Sequence, residues 1–118
     1  MADVNVIGTL LAQTRPANTT AATAYTASIQ TEITRILVAN TTVLAATFRL
    51  FHDDDGTTYD QTTALYYDES IAANTTKVIN MEAQGCGLFV AKSGTIGVRT
   101  GTADALTFSL YGRVRESR

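Results

Sequence analysis

Along most of the chain, apolar and polar residues alternate one for one in short runs separated by Gly, Asn, Asp and Ser. A period of two puts successive side chains on opposite faces of a pleated strand, whereas a helix repeats about every 3.6 residues. The clearest run is Leu106 to Arg115. Leu106, Phe108, Leu110 and Val114 fall on one face, and Thr107, Ser109, Tyr111, Arg113 and Arg115 on the other. This predicts a strand with one core side and one wet or partner-facing side. Thr34 to Asn40 sets Ile36 and Val38 against Arg35 and Leu37, and Ala46 to His52 sets Phe48, Leu50 and His52 against Arg49 and Phe51.

Six further runs read as strands: Val4 to Gln13, Ala22 to Gln30, Thr63 to Asp68, Thr75 to Met81, Leu88 to Ala91 and Thr95 to Thr100. About nine short strands with turn residues between them predict an all-β, single-domain antiparallel β-sandwich or barrel, jelly-roll-like in class. The expected division is an N-terminal arm and first strand over residues 1–24, a β-sandwich core over 25–112 and a basic C-terminal tail over 113–118. The 21 threonines agree with this, because a β-branched polar residue suits the exposed face of a sheet. The 17 alanines favour helix, but they gather in pairs such as Ala21-Ala22, Ala45-Ala46 and Ala72-Ala73, with no helical spacing to extend them. Any helix is expected to be short.

Ala-Asn-Thr-Thr occurs at residues 17–20, 39–42 and 73–76. The intervals are unequal, which excludes a solenoid and points to one turn solution used three times, with Asn in a tight or left-handed conformation. The Asn-x-Thr acceptor pattern for glycosylation in each copy is read as chance.

At 118 residues the chain holds one core. A net charge of −2 is too near balance to bind nucleic acid through its phosphates. The charge is unevenly placed. Residues 52 to 69 hold Asp53, Asp54, Asp55, Asp60, Asp68 and Glu69 with no Lys or Arg, while Arg99, Arg113, Arg115 and Arg118 make the C-terminal end mildly basic. Cys86 is the single cysteine, so no intrachain disulfide forms; between two glycines it reads as a small buried or turn residue. The acidic start Met1-Ala2-Asp3-Val4 lacks the basic residues of a signal peptide, and no apolar run approaches the roughly 18 residues of a membrane span. Synthesis in the cytoplasm, with no membrane partner, is the expectation.

Few residues carry candidate chemistry. His52-Asp53-Asp54-Asp55-Gly56 opens like a calcium loop, but the twelfth place from Asp53 is Ala64 instead of an acid, so an exposed turn is expected and no metal. His52 beside three carboxylates has no marked nucleophile or oxyanion donor to serve. Ser93-Gly94-Thr95-Ile96-Gly97 lacks the lysine of a phosphate loop and reads as a hairpin turn. Adjacent Tyr66 and Tyr67 fall on opposite strand faces, so with Phe51, Tyr59 and Tyr111 they are expected in packing or subunit contact and not on one stacking platform. No catalytic residue and no cofactor is assigned.

Residues 33 to 80 carry a familiar phrasing: Ile33-Thr34-Arg35-Ile36-Leu37-Val38-Ala39-Asn40, Ala46-Thr47-Phe48-Arg49-Leu50, Ala64-Leu65-Tyr66-Tyr67-Asp68 and Ile71-Ala72-Ala73-Asn74-Thr75-Thr76. Together with the closing strand Leu106 to Gly112, this resembles the small all-β virion proteins of tailed bacteriophages over roughly residues 25 to 112. The resemblance implies a β-sandwich or β-barrel that coats a capsid as a decoration (cement) protein, often a trimer, or serves in a tail or fibre. The implied partners are further copies of the chain and a major capsid protein or other virion protein, and the implied location is the capsid surface. Arg15, Arg113 and Arg115 are the expected partner contacts, because arginine makes bidentate contacts and is enriched at interfaces. The other readings are a tail, connector or fibre-base component, and a carbohydrate-binding module built on the Asp53 to Tyr67 loop, whose glycan binding would depend on Asp55 or Tyr59.

Overall fold

The structure, a computed structural model, describes residues 4–82 and 86–117, with side-chain environments for 9–82 and 86–114. Nine strands and no helix occur among these residues: β1 (Val4–Thr14), β2 (Ala22–Thr26), β3 (Thr31–Asn40), β4 (Ala46–Asp53), β5 (Ala64–Ile71), β6 (Thr76–Asn80), β7 (Leu88–Val90), β8 (Thr95–Thr100) and β9 (Leu106–Ser117). One sheet runs β1-β9-β3-β6, with β7 also paired to β3, and the other runs β2-β8-β4-β5. Every pairing is antiparallel.

The pairs nest. β4 pairs β5, β3 pairs β6, β2 pairs β8 and β1 pairs β9, as if one long hairpin had been rolled so that successive pairs fall in alternate sheets. Two four-stranded antiparallel sheets wound this way, with β7 as an added short strand, form a jelly roll.

The core lies between the sheets. Ile33, Ile36 and Val38 of β3 and Leu106, Phe108 and Leu110 of β9 meet Phe48 and Leu50 of β4 and Ile96 and Val98 of β8, all buried. Each such side chain contributes about 1.5–3 kcal/mol by leaving water. Ile33 and Ile36 are three residues apart, a spacing that strict alternation forbids. A bulge between Ile33 and Arg35 turns both isoleucines inward and leaves Arg35 exposed. A second bulge, between Leu10 and Ala12 of β1, likewise packs Leu11 and Ala12 against the core and leaves Leu10 outside.

Several local expectations are sharpened by the structure. The strand expected over Ala22–Gln30 ends at Thr26. Ser93-Gly94 links β7 in one sheet to β8 in the other, so it is a crossover between sheets and not a hairpin; Ser93 takes a φ of 76° there. Cys86 is exposed in the bend before β7, as a turn residue and not a buried one. The segments read as arm and tail run along each other, since β1 pairs β9 from Val4 opposite Ser117 to Thr14 opposite Phe108.

Candidate partner-binding surfaces

Four connections meet at one end of the sandwich: residues 15–21, 41–45, 72–75 and 101–105. Backbone hydrogen bonds join them, from Asp104 N to Pro16 O (3.0 Å), Thr41 N to Ala105 O (3.3 Å) and Asn74 N to Thr42 O (3.0 Å). All three Ala-Asn-Thr-Thr copies therefore gather at this end. They are not one turn. Asn18 and Asn40 each accept a hydrogen bond from the backbone N–H two residues on, Thr20 and Thr42, whereas Asn74 is the copy that adopts the left-handed region, at φ 55°.

Asn40 organises the tip. Buried at 2% exposure, it donates from Nδ2 to the carbonyls of Leu44 (2.9 Å), Ile71 (3.2 Å) and Ala72 (3.3 Å), and its Oδ1 accepts from both the N–H and the hydroxyl of Thr42. The 41–45 loop held in this way presents Val43 and Leu44 to solvent at 81% and 73% exposure. They are adjacent aliphatic side chains on a loop whose backbone is pinned to its neighbours.

Arg15 lies at the same end. Its guanidinium donates to the hydroxyl of Thr41 (2.8 Å), to that of Thr107 (3.4 Å) and to the carbonyl oxygen of Asp104. Arg113 lies at the other end of β9, where Nη1 reaches Glu32 (3.1 Å) and Glu82 (2.9 Å). Those two carboxylates, Glu82 first, raise the Arg113 pKa above its ordinary value. Glu32 also accepts from Gly87 N–H, so the cluster ties β9 and β3 to the segment entering β7. Arg115 sits in β9 opposite Val6, and its side chain lies outside the described environments. The fold thus separates Arg15 from Arg113 and engages both internally.

A second apolar surface covers the outer face of the β1-β9-β3-β6 sheet, and sequence reasoning did not single it out. The register sets Tyr111 between Leu10 and Arg35, and Leu37 between Ser109 and Val78. Leu10 is 46% and Val78 56% exposed. Alternation marks these positions as outward, and the available signal was that apolar residues occupy them.

The acidic loop is folded onto itself. The buried Asp53 carboxylate accepts from Thr58 N–H (2.7 Å) and Asp55 N–H (3.2 Å), and these bonds, that of Thr58 foremost, lower its pKa. The neighbouring Asp53 carboxylate, as hydrogen-bond partner and as like charge, pushes Asp55 up. His52 Nε2 is buried without a hydrogen-bond partner, 3.5 Å from Asp54. No group of three His, Cys, Asp or Glu side chains among the described residues is placed to hold a metal ion.

The aromatics divide as strand geometry requires. Tyr66 packs on Phe48 of the core (5.8 Å between centroids), while Tyr67 lies outside with the Arg49 guanidinium 3.8 Å over its ring. Arg49 also makes a forked ion pair with Asp68, at 2.7 and 3.1 Å, which lowers the Asp68 pKa. Tyr59 stacks on Phe51 (5.6 Å) and its hydroxyl is 2.6 Å from that of Thr23. The loop closes over the sheet, and no aromatic platform opens from it.

The strand order and the nested pairs define a jelly roll. No protein-family model and no curated protein matches the sequence. Among solved structures, the chain is similar to a protein in the crystal structure of the T13 viral particle of infectious bursal disease virus, at a TM-score of 0.53 and 15% identity over 98% of this chain. It is also similar to chains in the structures of that virus's Gx strain (TM-score 0.48, 15% identity) and of its VP2 subviral particle (TM-score 0.48, 16% identity), over 98% and 97% of this chain. It spans about a third of those chains, covering 31%, 33% and 32% of them respectively. At that identity the first of these likenesses shows a shared β fold.

Proposed function

We propose that the chain is a non-enzymatic structural protein of a virion, and specifically a capsid decoration protein of a tailed bacteriophage that binds the outer shell as a homotrimer and stabilises it. The observation that carries this reading is the division of the surface. Arg15, Arg113 and the Asp53 carboxylate are engaged within the fold, and exposed apolar side chains stand at a pinned loop tip and on an outer sheet face. Such a surface suits static contact with protein, where a few buried apolar anchors carry most of the binding energy. The jelly roll shared with a protein of an icosahedral virus particle supports the virion setting, and the resemblance of residues 25 to 112 to phage virion proteins supports the phage.

Purified chain added to particles of the encoding virus that lack it tests the reading by electron microscopy and resistance to heat. Saturable binding over the head with delayed rupture is expected. Binding at the tail alone would transfer the chain to the tail or connector, and no binding to any part of the particle would overturn the virion role.

A further inference from the structure

We infer that the loop tip of one copy docks on the outer β1-β9-β3-β6 face of the next, so that the chain assembles head to tail into a closed ring. The inference rests on the homo-oligomer in the reading above and assigns its interface. Among the described residues, exposed apolar side chains stand at the tip, Val43 and Leu44, and on the face, Leu10, Val78 and Tyr111 around the half-buried Leu37. The second copy is selected by charge. Arg35 stands exposed amid the face and makes no ion pair among the described residues, so packing two such faces with Leu10, Leu37, Val78 and Tyr111 at the centre would bring Arg35 onto its own copy and oppose like charges.

The complement has to be apolar and to carry a carboxylate. Among the described residues the tip offers both, since Asp104, which makes no ion pair there, is exposed in the 101–105 loop that hydrogen-bonds to the 41–45 loop. Arg15 at that end is turned to the Thr41 and Thr107 hydroxyls and to the Asp104 backbone, and its role is to hold the two loops together. The other exposed aliphatic and aromatic pair, Leu65 and Tyr67, lies beside Asp68, which Arg49 already holds.

The tip's backbone is fixed before contact, so little ordering opposes association. Tip and face are different patches, which makes the contact heterologous: it generates a ring when the rotation closes. A lipid surface is the less fitting occupant, because the tip lacks the aromatic anchors and the free cationic fringe of a membrane-binding loop.

Light scattering after size exclusion on wild type, Leu44→Asp, Val78→Asp, Arg35→Asp, Asp104→Arg and the double variant Arg35→Asp/Asp104→Arg tests this. All the changed side chains are exposed, and circular dichroism checks that each variant folds. The expected result is a closed oligomer for wild type, a dissociation constant raised about tenfold or more by each single change, and recovery of the oligomer in the charge-swapped double variant. An oligomer that keeps its mass in the folded Leu44→Asp and Val78→Asp variants, or a double variant no better than its parents, would overturn the interface and leave the virion role standing. A wild type that stays monomeric at its highest attainable concentration would overturn the ring, and particle binding would then decide the virion role separately.

Discussion

At the scale of single residues, the side chains that decide the fold are polar ones placed where they satisfy backbone. Asn40 is buried and engages three carbonyls and two donors of Thr42. Replacing it with alanine removes all five bonds and leaves the buried Ile71 carbonyl without this partner, and is expected to cost about 2 kcal/mol in urea unfolding with the slope unchanged. Asp53 gives the pH dependence. Its folded pKa lies below the ordinary 3.8, so its ionised form favours the fold; that contribution is complete above 3.8 and is lost as pH falls through the depressed folded value. Asp55 has the opposite sign, because its raised pKa makes ionisation work against the fold as pH rises through the carboxylate range. Asp53→Asn is therefore expected to flatten the acid limb of stability against pH and to return Asp55 toward its ordinary value, both readable by NMR titration and acid denaturation. The sequence marked the Asp53 to Gly56 run, but it could not show the Thr58 N–H that fixes Asp53, because that bond depends on how the loop closes.

At the scale of elements, alternation located all nine strands, and it failed where a bulge or a loop overrides the period. Phe51 points away from the core and is still buried at 1% exposure, because Tyr59 from the β4–β5 loop stacks on it. The same ring covers Gly97 of β8, where an added Cβ would stand 2.6 Å from Tyr59 ring carbons. Gly97→Ala is expected to displace Tyr59 and destabilise by about 1–3 kcal/mol, with the loss of the Tyr59–Phe51 contact visible in aromatic NMR shifts. The Ile33-Ile36 spacing was readable as a break in period, but its cause, a bulge against β9, belongs to a pairing between residues distant in sequence. The Arg15 and Arg113 expectations show the same limit. Residue type marks an arginine as able to bind a partner, and the fold adds the groups each touches within the chain, Thr41 and Asp104 for Arg15 and Glu32 and Glu82 for Arg113.

At the scale of the whole molecule, the nested pairing joins the two ends of the chain, β1 to β9, around everything between them. Closing such distant pairs comes late, so refolding is expected in about milliseconds to seconds. Tyrosine fluorescence in a stopped-flow instrument can follow it, since the chain has five tyrosines and no tryptophan. A dominant microsecond phase would contradict the topology. The same winding places every uncharged turn copy at one end and the acidic loop away from it, giving the molecule one end suited to apolar contact. The most direct test of the virion role is quantitative mass spectrometry of purified particles of the virus that encodes the chain, scaled to the major capsid protein. The account predicts copies comparable in number to the capsid protein. Absence of the chain from the particles would contradict it.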